Sequence, residues 1–449
     1  MDKMSYKETH KTWDRSNARS QCWRFARARY PSAALREAPT QGYCSYTLYL
    51  NDDTILQFRP PRHRLDLDIT SVARNTFGEL APHVQLLDTI RASGAGDNES
   101  NSLLVYSLSR IPGIPFSSLH LPVPNHHHQS ASPSPSPPSS PSLAPLPSPS
   151  PPPSNPNPNL EPLIRSFARL HATSYYSALP PTSPLLPALK RRVGRTLRWR
   201  LDQMHAHLPA RFRPVVRRVL AGLGDIEARL PWALTHGDLV PANIMVCAGG
   251  GTDGGGSCSG SGIQLRGLID WAEAEYLPFG VGLYGVEELL GASAGGGSAD
   301  GAHGDGGSRY PPPGSRFIYF PDAARLRGIF WEELCGAIPE LVTDVALRAR
   351  VEDARLLGLL LWHGIAFDDG ALDRVVRAGQ DDEELQRLDL FVLGVAADDR
   401  TTAPVPDASN IVEEAHGKTT TLASIKQDDK TAIKMSLGVS AVVGEFCVG

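Results

Sequence analysis

The chain has 449 residues, a formal net charge of -4 and 20% charged residues, so no basic excess points to nucleic acid. No apolar run reaches the length of a membrane span, and the polar residues 1–19 show no secretory signal. The six cysteines are scattered without a Cys-x-x-Cys pair, which indicates neither a zinc site nor a disulfide framework, and we expect reduced thiols in a cytoplasmic protein.

The N-terminal part of the chain predicts a leader and then a β-hairpin. Residues 1–39 are basic and aromatic, which suits either one helix packed on the domain or a disordered leader. Residues 44–50 are rich in β-formers, residues 51–53 suit a turn, and residues 54–59 form a second predicted strand.

A helix and a buried strand are predicted next. Residues 65–80 have the apolar spacing of an amphipathic helix, and Asp66 and Asp68 lie in its first turn, where carboxylates also favour the helix dipole. Residues 103–108 are typical of a buried strand. Residues 120–159 form a Pro/Ser-rich tract with too little apolar content to offset ordering entropy, so we predict disorder there.

The rest of the chain predicts a mainly helical region with two glycine-rich insertions. Helical periodicity covers residues 160–172, 185–230, 323–338, 342–368 and 381–393. The insertions lie near 248–262 and 292–308, and the tail over 397–449 is predicted to be disordered. Longer loops raise closure entropy only slowly, so a fold can tolerate such insertions.

Two motifs carry the chemistry. Residues 234–246 read Leu-Thr-His-Gly-Asp-Leu-Val-Pro-Ala-Asn-Ile-Met-Val and predict a loop that presents Asp238 and Asn243 before a short apolar strand. A second apolar segment ends on Asp270, followed by Trp271. Two acids and an amide, each beside a β element, suit magnesium-dependent phosphoryl transfer, in which one acid orients a hydroxyl and the others hold the metal.

The spacing of these motifs resembles that of a known family. The five-residue step from Asp238 to Asn243 is the step of the protein-kinase catalytic loop, with Gly237 in the place of Arg. The phrase His-Gly-Asp-x-x-x-x-Asn, followed by Ile-Asp-Trp, resembles the aminoglycoside phosphotransferase and choline kinase-like families. Either motif alone could be a turn-forming or strand-ending acid, but that explanation does not account for both in this order.

The resemblance implies an α+β, two-lobed, protein-kinase-like fold. A small β-rich lobe would span residues 40–108, a hinge segment 109–119, and a mainly helical lobe 160–396 that follows the insertion at 120–159. Asp238 would be the catalytic base, Asn243 and Asp270 the ligands of Mg²⁺, and His236 a structural residue that braces the loop. The nucleotide would be ATP or GTP, and the acceptor a small molecule.

The resemblance also implies a nucleotide site in the small lobe. Arg59, at the end of the second strand with Gln57 on its own face, would contact nucleotide phosphates, although it could instead be an exposed edge arginine. Asp68 would pair with Arg59, with helix capping as the simpler alternative. Residues 103–108 would be the edge strand, with main-chain groups near Tyr106 and Leu108 hydrogen-bonding the adenine.

Two departures from the family pattern keep other functions open. The glycine-rich phosphate loop is degenerate, with only Gln41-Gly42-Tyr43 to begin it, and relatives commonly carry an acid near the position of Gly282 that braces the catalytic loop. The alternative is therefore a weak or inactive kinase-like protein that binds nucleotide. A third reading makes the Pro/Ser-rich tract the functional part, as an interaction segment. Neither the acceptor nor the number of subunits follows from the sequence.

Overall fold

The computed structural model describes residues 18–39, 41–42, 44–91, 102–119, 121–123, 159–248, 261–294, 314–368 and 371–394. The Pro/Ser-rich tract, both glycine-rich insertions and the tail predicted from the sequence lie mostly or wholly outside these residues.

A five-stranded antiparallel sheet forms the small lobe, in the order β1-β2-β3-β5-β4. Its strands are β1 (Arg36–Glu37), β2 (Tyr46–Tyr49), β3 (Thr54–Arg59), β4 (Val84–Arg91) and β5 (Ser102–Ser109). The predicted hairpin is β2 and β3, with Tyr46 opposite Phe58. The prediction that residues 103–108 form an edge strand is wrong, because β5 lies between β3 and β4.

The two faces of this sheet have different partners, because side chains alternate along a strand. The back face carries the buried Leu56 and Phe58, which cluster with Cys22 and Ala26 of helix α1 (Ala18–Arg29). The indole Nε1 of Trp23 donates to the Tyr46 hydroxyl at 2.9 Å and fastens the helix to the sheet. Of the two readings of the leader, the structure supports a helix packed on the domain for residues 18–29.

Helix α2 (Leu67–Phe77) crosses from the sheet to the other lobe. Asp66 caps its N-terminus by accepting from the N–H of Ile69 at 3.0 Å. Its buried residues Ile69, Ala73 and Phe77 belong to the hydrophobic core of the large lobe, and the Phe77 ring lies 5.3 Å from that of Trp271. The helix predicted over 65–80 is therefore confirmed, and its apolar face packs on the large lobe.

The large lobe is mainly helical. Its helices are α3 (Glu161–Tyr176), α4 (Leu186–Leu189), α5 (Leu197–His207), α6 (Arg213–Arg229), α7 (Gly285–Glu288), α8 (Ala323–Ala337), α9 (Glu340–Thr343), α10 (Val345–Gly364) and α11 (Asp382–Leu388). The helix predicted over 342–368 ends earlier than expected, at Gly364, where the chain turns into strand β13 (Ile365–Asp368), which pairs with β14 (Ala371–Val375).

Short strands of the large lobe position both sequence motifs. Strand β7 (Trp232–Thr235) pairs with β10 (Glu275–Pro278), and β8 (Ile244–Ala248) pairs with β9 (Ile263–Leu268), with β6 (Ile114–Pro115) on the outer edge of β8. A further hairpin joins β11 (Gly291–Ala294) to β12 (Arg316–Tyr319). Ile244 is opposite Leu268, so Asn243 and Asp270 flank the same end of the β8–β9 hairpin.

The architecture confirms the α+β, two-lobed fold that the sequence predicts, with a β-rich small lobe and a mainly helical large lobe. None of the helices within the described residues is long and apolar enough to cross a bilayer. Cys247, near the end of β8, is disulfide-bonded, so the expectation of reduced thiols is wrong at this position.

Candidate active site

The predicted catalytic loop, residues 236–243, begins where the fully buried strand β7 ends. The backbone turns sharply at Gly237, whose φ is +77°, and a Cβ there would lie only 2.8 Å from the carbonyl carbon of Glu273. Only glycine meets both demands, because left-handed backbone is costly for other residues and the space is filled. The glycine in the His-Gly-Asp motif is thus a requirement of the turn that directs Asp238 outwards.

Asp238 and Asn243 are held against each other. The Asn243 side-chain Nδ2 donates to the Asp238 carbonyl oxygen at 2.9 Å and to the carboxylate Oδ2 at 2.7 Å. Asn243 closes a 3₁₀ turn that begins at Pro241, and it is buried. Because its amide nitrogen serves the loop, its amide oxygen is the atom with the chemistry to ligate a cation.

His236 joins the catalytic loop to the second motif. Its Nδ1 accepts from the N–H of Asp238 at 3.3 Å, so Nε2 carries the hydrogen and donates to the Ile269 carbonyl oxygen at 2.9 Å. The Ile269 N–H in turn donates to the Asn243 carbonyl oxygen at 2.9 Å. The residue before Asp270 is therefore held from both sides, which supports the structural role predicted for His236.

Asp270 adopts left-handed backbone, with φ 63° and ψ 65°, the one non-glycine residue with positive φ in the described parts of the chain. Such a conformation costs about 1–2 kcal/mol, and it persists where surrounding contacts enforce it. It directs the carboxylate towards the small lobe, where Arg59 Nη2 lies 3.0 Å from Asp270 Oδ1. The Arg59 side chain is only 3% exposed, so this ion pair lies inside the cleft.

Arg59 is oriented by its own sheet. Its Nε donates to Gln57 Oε1 at 2.8 Å, and Gln57 Nε2 donates to the Ser45 hydroxyl at 3.2 Å. Gln57 and Arg59 share the cleft face of β3 because they are two residues apart. A chain of hydrogen bonds thus runs from Ser45, at the start of β2, through Gln57 and Arg59 to Asp270.

Asp68 does not join this network. It is exposed in the first turn of α2, and within the described residues Arg59 pairs with Asp270 instead. Its neighbour Asp66, which caps the helix, also forms an ion pair with Arg191 of the large lobe. Burial raises the pKa of Asp66, but the N–H of Ile69 and the Arg191 guanidinium outweigh it and hold that pKa below its usual range.

Tyr106 and Leu108 lie on the cleft face of β5. Their backbones pair with β3 on one side and β4 on the other, so the predicted main-chain contacts to adenine from these two residues do not fit the strand order. Their side chains cluster with Leu65 and are in contact with Ala272 of the large lobe. They form an apolar layer between the lobes, and any adenine contact from them would be made by side chains.

Two important residues have no signal in the sequence motifs. The buried Glu275 accepts from the N–H groups of Arg191, Val193 and Gly194 at 3.2, 3.0 and 2.7 Å, which shapes the loop that carries Arg191. Burial raises the pKa of Glu275, partly offset by these donors. Tyr284 accepts from the N–H of Leu239, directly after Asp238, at 2.8 Å. Both act on main-chain groups, which every residue carries, so spacing could not have found them.

A small cavity lies under the predicted catalytic loop, and its lining includes His171, Thr235 and Gly282. A Cβ on Gly282 would lie 3.2 Å from Thr235 Cγ2 and 3.6 Å from His171 Cε1. The fully buried His171 Nε2 has no hydrogen-bond partner among the described residues, and burial lowers the His171 pKa to about 3. Burial therefore keeps the His171 imidazole neutral beside Gly282.

The donor set fits magnesium carried by a nucleotide. Mg²⁺ prefers oxygen ligands and is usually bound by one or two carboxylates together with substrate phosphates. Asp270 would supply the carboxylate and Asn243 the amide oxygen. The described residues contain no group of three His, Cys, Asp or Glu side chains that could hold a metal ion. Phosphate oxygens of a nucleotide would complete the coordination of the ion.

Residues 149–281 match the model of the phosphotransferase enzyme family. The matched segment contains Asp238, Asn243 and Asp270, whereas Arg59 and Asp68 lie before it. Together with the two lobes described above, the match identifies the fold as protein-kinase-like.

Several solved structures are similar to the chain. Aminoglycoside 2'-phosphotransferase-IIIa in complex with GDP is 11% identical, with 74% of this chain and 86% of that chain covered and a TM-score of 0.39. An aminoglycoside phosphotransferase from Streptomyces rimosus is 15% identical, with 74% and 94% covered and a TM-score of 0.36. A streptomycin–ATP ternary complex of another aminoglycoside phosphotransferase is 10% identical, with 76% and 88% covered and a TM-score of 0.37. No curated protein matches the chain.

Proposed function

We propose that this protein transfers a phosphoryl group from a magnesium-bound nucleotide to a hydroxyl group. The premise is that residues 149–281 match the model of the phosphotransferase enzyme family. The donor would be ATP or GTP, and the acceptor a small molecule. The observation that carries the proposal is the mutual bracing of the two motifs: His236 and Asn243 both hydrogen-bond Ile269, which precedes Asp270.

Each residue would have a separate task in this reaction. Asp238 would accept a hydrogen bond from the acceptor hydroxyl and take its proton, while Asn243 fixes the other carboxylate oxygen in place. Asn243 and Asp270 would hold Mg²⁺, which would neutralise the charge that develops on the phosphates. Arg59, on the opposite wall of the cleft, would contact a phosphate. Most of the catalysis would come from positioning and electrostatic stabilisation.

Two observations support a second candidate function, nucleotide binding without turnover. Gly282 gives the loop no side chain where the family resemblance implies an acid, and Arg59 forms an ion pair with the proposed metal ligand Asp270. Against this reading, all three polar residues of the site are present in one braced arrangement. A cytoplasmic location stays a prediction.

Thermal stability with nucleotide tests the metal site. We expect ATP or GTP to raise the melting temperature of the full chain only with magnesium, since a ligand stabilises the state that binds it. The rise should disappear in Asp270→Ala and persist in Asp202→Ala, which removes an exposed acid from α5. A rise of the same size in Asp270→Ala would contradict the metal assignment, and no rise in the wild-type protein would contradict the proposed nucleotide site.

A further inference from the structure

The catalytic loop has a contact outside both motifs. Tyr284 lies at the end of a 3₁₀ turn, Val281–Tyr284, and is 3% exposed. Its hydroxyl oxygen accepts from the N–H of Leu239 at 2.8 Å, a hydrogen bond in which both groups are buried. Leu239 directly follows Asp238, so this bond fixes the backbone on the far side of the proposed catalytic base.

The phenol ring is itself held in place. It stacks on the indole of Trp362 in α10, with ring centroids 5.1 Å apart and an angle of 16° between the planes. With the ring in this position, the hydroxyl oxygen faces the Leu239 N–H of the loop. A tyrosine held in this way is a rigid acceptor, because it has only two side-chain torsions and both are fixed by packing.

Close packing of the neighbouring residue adds to this contact. A Cβ on Gly285 would lie 2.8 Å from Leu239 Cβ, so there is no room for a side chain between the start of α7 and the loop. The Leu239 side chain is 1% exposed. Leu239 is thus held by packing against Gly285 and by one hydrogen bond from its N–H.

The charge of Asp238 also affects the Tyr284 phenol. Burial raises the pKa of the Tyr284 phenol well above its usual value, and the negative charge of Asp238 raises it further. The phenol therefore stays neutral and keeps its hydrogen, and its oxygen stays an ordinary acceptor for the loop.

We propose that Tyr284 is a positioning residue that sets the orientation of Asp238 through the Leu239 N–H. It is the counterpart of His236, which accepts from the Asp238 N–H itself, so consecutive amides of the loop are held by two different side chains. In this chain Gly282 contributes no side chain to the loop, and the contact comes from two residues further on. The inference rests on the proposed function, since it assigns the orientation of the proposed base.

Tyr284→Phe tests this role, because it removes the hydroxyl and keeps the ring. Tyr319→Phe is the matched control: it removes a partly buried phenol hydrogen bond to Glu287, 2.8 Å long, elsewhere in the same lobe. Three quantities are measured on the full chain: the hydrogen-exchange rate of the Leu239 amide, the rate of magnesium-dependent ATP hydrolysis, and the affinity for magnesium-ATP.

In Tyr284→Phe we expect faster exchange at Leu239 and a hydrolysis rate lower by about tenfold, as one hydrogen bond converts to rate, with unchanged affinity for magnesium-ATP. Tyr319→Phe should change neither the Leu239 exchange nor the rate. Unchanged exchange and unchanged rate in Tyr284→Phe would overturn the proposal, and so would an equal effect in both variants. If the wild-type protein binds no magnesium-ATP, the proposed function fails, whereas Leu239 exchange still decides whether Tyr284 holds the loop.

Discussion

Arg59 Nη2 lies 3.0 Å from Asp270 Oδ1, so the arginine predicted to contact phosphate pairs with the carboxylate predicted to bind metal. The two residues belong to different lobes and are 211 positions apart in the sequence. Neither can serve its proposed ligand fully while it holds the other. Binding of magnesium to Asp270 and of phosphate to Arg59 should therefore assist each other, since each ligand releases the partner of the other.

Arg59→Gln should change metal and nucleotide affinity in opposite directions. Without the guanidinium, Asp270 loses a competing positive charge, and we expect magnesium alone to bind more tightly by roughly tenfold, about 1.4 kcal/mol. Nucleotide should bind more weakly, because a phosphate contact is lost. Calorimetric titration with magnesium alone, and then with ATP in excess magnesium, gives both numbers.

The control for this variant is Arg36→Gln, which removes an exposed arginine of the small lobe that pairs with the exposed Asp52. It should change neither affinity. If Arg59→Gln weakened both ligands, Arg59 would be supporting the site as a whole, and the idea of exchange between partners would be wrong.

Asp238→Asn should remove turnover and leave binding. The amide keeps the size of the side chain but cannot take a proton, and a general base contributes typically about 10²–10⁴-fold to the rate. We expect magnesium-dependent ATP hydrolysis to fall by at least about 100-fold with nucleotide affinity within twofold of the wild-type value. Asp225→Asn, an exposed acid on α6, serves as control. A retained rate would favour the alternative of a binding protein with adventitious hydrolysis.

Gly237→Ala should be much more damaging than Gly379→Ala. Both glycines have φ +77°, but a Cβ on Gly237 would clash with Glu273, whereas a Cβ on Gly379 would have nothing within 4 Å. We expect the free energy of unfolding to fall by about 1 kcal/mol for Gly379→Ala, from the backbone alone, and by about 3 kcal/mol for Gly237→Ala. Urea denaturation measures both. Equal losses would mean that the loop can shift away from Glu273.

His171 should make the protein less stable in mild acid. Burial lowers the pKa of His171 to about 3 in the folded protein, from an ordinary value of 6.5 that applies to the unfolded chain. The unfolded state therefore takes up the proton first as the pH falls. The contribution of neutral His171 to the free energy of unfolding is complete above pH 6.5. Below that pH it falls by about 1.4 kcal/mol per pH unit, until the folded state also takes up the proton.

The variant His171→Leu removes this contribution. Its free energy of unfolding, measured in urea at pH 7 and pH 5, should decline less than that of the wild-type protein by about 2 kcal/mol. His207→Leu, at an exposed position on α5, should decline as the wild type does. An unaltered decline in His171→Leu would show that His171 is not buried as a neutral ring.

The parts of the site that the sequence predicts are those built locally. Asp238 and Asn243 are five residues apart in one loop, and Asp270 follows a strand, so their spacing already encodes their geometry. The partner of Arg59 is a different matter, because an ion pair between distant positions leaves no pattern in either segment. The contact of Tyr284 with the Leu239 N–H also leaves no pattern in the sequence, because every residue except proline carries a backbone N–H.

The fold was predictable to a similar extent. The period-two pattern of residues 54–59 and the helical period of residues 65–80 are local and appear as β3 and α2. The sequence did not predict β4. Much of this strand is exposed, so its residues do not alternate regularly between apolar and polar. The sequence also indicated Asp68 as the functional acid of α2, whereas the acid of that turn that makes an ion pair is Asp66. Both acids lie near the start of the helix, and the partner of Asp66 is Arg191 from the other lobe, which local sequence does not reveal.

Helix α2 has a mechanical consequence that follows from where its apolar face packs. Ile69 and Phe77 lie in the large-lobe core, Asp66 is tied to Arg191, and a Cβ on Gly267 would lie 2.6 Å from the Leu80 carbonyl oxygen. If the cleft opens, strands β1 to β5 and helix α1 should move as one rigid body, while α2 stays with the large lobe. The pivots would be the two short connectors at either end of α2, residues 60–66 and 81–83, together with the segment that leaves β5.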